Sequence, residues 1–68
     1  MLLNPTEILL AEVNDFLDRS GMAAARLGKD AIGDPNFVRH LRAGREPRFG
    51  TAQRVREFIE TKSAEYAS

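Results

Sequence analysis

The sequence predicts an all-α domain of four short helices. Three observations predict it. Apolar residues recur at spacings of three, four and seven, and no alternating apolar run suited to a strand occurs. Two cap-proline pairs, Asn4-Pro5 and Asp34-Pro35, open segments where a helix can start. Gly21, Gly33 and Gly44 then close three segments where a helix must stop.

The first helix is expected over about 5–20. Asn4 is its N-cap, Pro5 takes the first helical position, and Glu7 stands where a capping-box carboxylate belongs. Leu3 and Ile8 are placed for a hydrophobic staple. Ile8, Leu9, Val13, Phe16 and Leu17 give it an apolar face. A second helix, about 23–32, starts in three consecutive alanines, the best intrinsic helix formers. Leu27 and Ala31 face inward, and Gly28 lets another helix approach closely. A third helix, about 35–43, is capped by Asp34 and turns Val38 and Leu41 inward. Phe37, one residue earlier, covers the core edge. The segment from Arg45 to Gly50 is a loop whose Phe49 is expected to plug the core. Thr51 caps a fourth helix, about 52–66, with Ala52, Val55, Phe58, Ile59 and Tyr66 near one face. The expected core is Leu9, Val13, Phe16, Leu27, Val38, Leu41, Val55 and Ile59.

Sixty-eight residues make a single domain, 1–68, with one small core. The chain has no cysteine and one histidine, so disulfides and a structural zinc are not expected. No apolar run reaches the roughly 20 residues of a membrane span. The opening Met-Leu-Leu-Asn-Pro lacks the regions of a signal peptide, so a cytoplasmic setting is expected. A catalytic role is not expected, because a chain this short rarely forms a sheltered pocket. No cofactor and no small-molecule ligand are indicated.

Ten basic residues balance ten acidic ones, but they are not mixed evenly. Residues 1–19 hold four acids and one base, a net of −3. Residues 20–56 hold eight bases and three acids, a net of +5. Residues 57–68 hold three acids and one base, a net of −2. A basic middle between acidic ends suits a polyanionic partner, because local sign outweighs the total at close range.

The basic middle contains the third helix. With Val38 and Leu41 inward, Asn36, Arg39 and His40 lie on its outer side. Asparagine can read adenine with two hydrogen bonds, and arginine can read guanine. These three are the candidate base-facing residues. Arg42, Arg45 and Arg48 follow, and Arg26 and Lys29 precede on the second helix. All five suit phosphate contacts, which position a protein without reading sequence. Arg54 and Arg56 read as ordinary surface charges.

From Leu27 to Pro47 the chain resembles the lambda-repressor/Cro-like, or XRE-type, helix-turn-helix family. Leu27, Gly28, Ala31, Val38, Leu41, Gly44 and Arg45 carry the resemblance without a gap. The resemblance implies a recognition helix standing on a bihelical support and entering the major groove of double-stranded DNA. The chain departs from the family pattern at two places. Ile32 stands where the family usually has the turn glycine, and Gly33 follows it. Ala23 and Ala24 stand where the family favours a hydroxyl cap and a glutamine, so a phosphate anchor is missing.

The expected function is therefore sequence-specific DNA binding by a small transcriptional regulator. The alternative is a protein-interaction module on the same fold that has lost DNA binding, which zero net charge and Ala23–Ala24 favour. A homodimer is expected as well, because one short recognition helix reads too few base pairs to locate a site. Its expected surface is the fourth helix with its loop, through Val55, Phe58, Ile59 and Tyr66, the alternative being that all four simply pack against the first helix, since a small core needs every apolar residue.

Overall fold

The computed structural model describes residues 3–67, with side chains through residue 65. Four helices follow in order: α1 (Pro5–Ser20), α2 (Ala24–Ile32), α3 (Phe37–Arg42) and α4 (Phe49–Ala67). Among the described residues there is no strand, and no helix is long and apolar enough to cross a membrane. Helices α1 and α2 each pack against both α3 and α4.

The start of α1 follows from its first residues. Asn4 Oδ1 accepts from the Glu7 backbone N–H at 2.8 Å, and Asn4 Nδ2 donates to Glu7 Oε1 at 2.8 Å. The glutamate thus reaches the cap's side chain, a variant of the reciprocal capping box. The staple partners Leu3 and Ile8 are both exposed. Ile8 therefore drops out of the expected apolar face. Leu9, Val13 and Phe16 alone are buried on α1, and Leu17 is half-buried.

The core comprises Leu9, Val13, Phe16, Leu27, Phe37, Val38, Leu41 and Val55. It matches the expected set with two differences. Phe37 is buried at 6 % exposure, as its place beside Val38 suggested. Ile59 is only half-buried and packs on the core from outside, with Phe58 beside it. Phe58 meets Phe16 edge-on, with ring centroids 6.3 Å apart and planes at 76°. Lys62 Nζ lies 5.8 Å from the Phe58 ring centre. The α4 surface expected to dimerise is thus largely spent inside the molecule, with Val55 wholly buried. The Tyr66 side chain lies outside the described residues.

Helix α3 starts later than Asp34-Pro35 predicts. Phe37 N–H donates to the Asp34 carbonyl at 3.2 Å, and Asn36 takes φ −95° and ψ 0°. Those are the bond and the angles of a type I turn with proline at its second position. Asp34 Oδ1 also accepts from Asn36 N–H at 2.9 Å. The aspartate therefore caps a turn, and the helix begins one step beyond it. At the other end, Arg45 N–H donates to the His40 carbonyl and Gly44 N–H to that of Leu41, each at 3.0 Å. This pair of bonds is the Schellman closure.

Helix α4 begins before its expected cap. Ala52 N–H donates to the Arg48 carbonyl at 3.0 Å, so the helical ladder starts ahead of Thr51 and includes Phe49 and Gly50. Phe49 consequently does not plug the core and is 82 % exposed. It continues the Ala52–Val55 stripe by one turn, to where the facing surface is the outer start of α1 rather than the interior.

Candidate nucleic-acid interface

The α2–α3 pair is built on one tight contact. Gly28 is buried, and a Cβ there would collide with the Asp34 carbonyl oxygen and crowd Phe37 Cβ. Asp34 N–H in turn donates to the Gly28 carbonyl at 3.1 Å. Helix α2 runs through Ile32, and Gly33 makes the turn with φ +73°, a conformation that side-chain-bearing residues disfavour. The glycine that is displaced by one residue in the sequence thus sits where the backbone reverses. Ala23, the α2 N-cap, makes no side-chain cap bond.

Phe37, Val38 and Leu41 anchor α3 from behind. The helical period then leaves Arg39 on the outer side, exposed, with exposed Asn36 just ahead of the first turn. The expected base-facing set divides between two grooves. Asn36, Arg39 and Arg42 line one groove of about 410 Å³ with Ala24 and Ala25 of α2. His40, half-buried, lines a second cleft of about 330 Å³ with Arg45, Arg48 and Thr51. Asp34 and Glu46 are also in that cleft's wall. Asn36 and Arg39 are therefore neighbours, whereas His40 keeps company with Arg45 and Arg48.

Pairing sorts the cations further. Arg26 Nε lies 3.3 Å from Asp30 Oδ2 along α2. Arg42 donates to Asn14 Oδ1 at 3.1 Å, tying α3 to α1. Arg56 grips Glu12 of α1 through two nitrogens, at 2.9 and 3.1 Å. Among the described residues, Lys29, Arg39, Arg45 and Arg48 are exposed and make no ion pair within the chain. Arg54 on α4 is likewise exposed and unpaired.

Three participants were not found by sequence reasoning. Asn14 holds Arg42 from 28 positions away. Thr51 and Glu46 join the His40 cleft. No local pattern marks Asn14 or Thr51, whose places depend on how α1 and α4 meet α3, whereas Glu46 simply follows Arg45 in the chain.

Searches against family models, curated proteins and solved structures return no match for this chain.

Proposed function

We propose that this chain is a small cytoplasmic transcriptional regulator that binds double-stranded DNA in a sequence-specific way. In this reading α2 and α3 form a lambda-repressor-like helix-turn-helix, and α3 enters the major groove. The observation that carries it is the state of Arg39. It stands on the outer side of a helix anchored by three apolar residues, exposed and without an intramolecular partner. Lys29, Arg45 and Arg48 are unpaired as well. Paired cations cost a protein its own contacts when they move to DNA, and these four are free of that cost.

Asn36 and Arg39 then face base edges, and Arg42 lies at the rim of their groove. His40, Arg45 and Arg48 face the backbone on the other flank, with Lys29 and Arg26 contributing from α2. A protein-interaction module on the same helices is the second reading, favoured by the empty cap at Ala23. Selection of binding sites from random duplex DNA, followed by titration at several salt concentrations, separates the two. An enriched motif with a falling salt dependence supports DNA binding. Undetectable affinity for duplex DNA at low salt leaves the interaction module.

A further inference from the structure

The cleft of about 330 Å³ beside α3 holds groups that the DNA reading does not use. Half-buried Ile32 and Pro47 join the buried Phe37 and Leu41 in an apolar floor, which a DNA backbone does not need. Asp34 and Glu46 share the cleft with Arg45 and Arg48, so a phosphate there meets like charge as well as opposite charge.

These charges are also unsatisfied within the chain. Elsewhere neighbouring acids and bases meet, Asp15 with Arg19, Asp30 with Arg26 and Glu12 with Arg56. Arg45, Glu46 and Arg48 are near neighbours, yet among the described residues none of them makes an ion pair or a side-chain hydrogen bond. The His40 ring and the Thr51 hydroxyl have no such bond either. Asp34 Oδ1 accepts from Asn36 N–H at 2.9 Å, which leaves its second oxygen without a partner.

We propose that this cleft binds a small zwitterion with an apolar body, the chemistry of an apolar α-amino acid. Its volume lies at the small end of the roughly 300–1,000 Å³ range of ligand sites. Arg45, Arg48 and the Thr51 hydroxyl supply donors for a carboxylate, which a guanidinium fork can hold with two bonds. Glu46 and Asp34 accept from an ammonium group. The apolar body covers Ile32 and Pro47. A plain anion leaves the two carboxylates opposed to like charge, and a plain amine does the same to the two arginines. The walls come from the end of α2, from α3, from the loop after it and from the start of α4, so no run of sequence marks the cleft.

On the DNA reading, Arg45 and Arg48 hold either the carboxylate or a backbone phosphate. The zwitterion and the duplex therefore exclude one another. That regulation rests on the proposed DNA binding, whereas occupancy of the cleft does not.

The test is an NMR titration of the free chain with L-phenylalanine up to about 20 mM, which covers the millimolar affinity of a few polar contacts. Saturable shifts should appear at His40, Arg45 and Thr51. Two analogues dissect the site: hydrocinnamate lacks the ammonium group, and phenethylamine lacks the carboxylate. Each should bind about tenfold more weakly or worse, because each loses a charge-assisted bond. Glu46 is exposed, so Glu46→Gln keeps the fold. That variant should weaken phenylalanine several-fold and hydrocinnamate not at all. No saturable shift overturns the proposal. So does hydrocinnamate binding as tightly as phenylalanine, which makes the cleft an anion site, and so does an equal effect of Glu46→Gln on both. With duplex present, phenylalanine at about ten times its dissociation constant should weaken duplex binding by about tenfold. Unchanged duplex affinity with phenylalanine bound overturns the exclusion. A chain that binds phenylalanine but no duplex keeps this site and loses the DNA reading, and a chain that binds duplex with no phenylalanine shift does the reverse.

Discussion

Asp34 and Gly28 hold each other at the α2–α3 turn. The Asp34 N–H donates to the Gly28 carbonyl at 3.1 Å, and the Asp34 carbonyl fills the space a Gly28 side chain would need. The crossing of the two helices that support the proposed DNA reading is set by this contact.

Gly28→Ala should therefore destabilise the domain, although alanine is the better helix former by up to about 1 kcal/mol. The obstacle is backbone, which cannot swing aside as a flexible side chain can, and overpacking costs about 1–3 kcal/mol. In a domain of this size each kcal/mol lowers Tm by about 4–8 °C. Thermal melts of the two proteins check it. An alanine variant that melts higher than wild type would show that the turn has room.

Leu41→Ala should cost about 2–5 kcal/mol, the range for truncating a buried leucine. Leu41 is 2 % exposed and packs behind the proposed recognition surface. A urea titration measures the loss. The variant should lose DNA affinity only in proportion to its unfolded fraction, because Leu41 touches no outer surface of α3.

Ala23→Ser should raise stability. Ala23 has φ −70° and ψ 143°, the extended conformation of an N-cap, and its carbonyl already accepts from Leu27 N–H at 3.1 Å. A serine there gains the missing side-chain bond, worth about 0.5–2 kcal/mol. Calorimetry should show a higher Tm. On the DNA reading the new hydroxyl also strengthens binding to all sequences alike, which a titration against selected and scrambled duplexes would reveal.

Arg39 and Arg45 should differ in kind. Arg45→Ala should weaken binding to every duplex and reduce the salt slope by about one unit. Arg39→Ala should relax preference at one or two base pairs, at about 1–3 kcal/mol for the favoured base. Fluorescence anisotropy on a selected site and its single-base variants distinguishes the two patterns. Equal effects of both variants on all sequences would move Arg39 to the backbone.

The sequence by itself determined the helical architecture. Asn4, Pro5 and Glu7 specify the start of α1, Gly21 and Gly33 lie where α1 and α2 stop, and the buried stripe of Leu9, Val13 and Phe16 follows from spacing. These features are local: a cap, a missing N–H or a period of 3.6 acts within a turn or two of chain. The same locality misled at two points. Asp34-Pro35 serves a type I turn as well as a helix start, and the Phe37 N–H to Asp34 carbonyl bond closes that turn where the same carbonyl sits against Gly28. Phe49 is as apolar as Phe16, yet it is 82 % exposed because the chain delivers it to the outer end of α1.

Tertiary structure decided which cations are held across helices, as Arg42 and Arg56 are, whereas Arg19, Arg26 and Lys62 pair with acids one turn away along their own helices. Arg42 and Arg48 are equivalent in the sequence, but Asn14 holds Arg42 across 28 positions while Arg48 stands unpaired. It also divided Asn36 and Arg39 from His40, placing them in separate grooves. The reason is geometric. Partners distant along the chain meet only where helices cross, and crossing angles depend on side-chain volumes that no short sequence window contains.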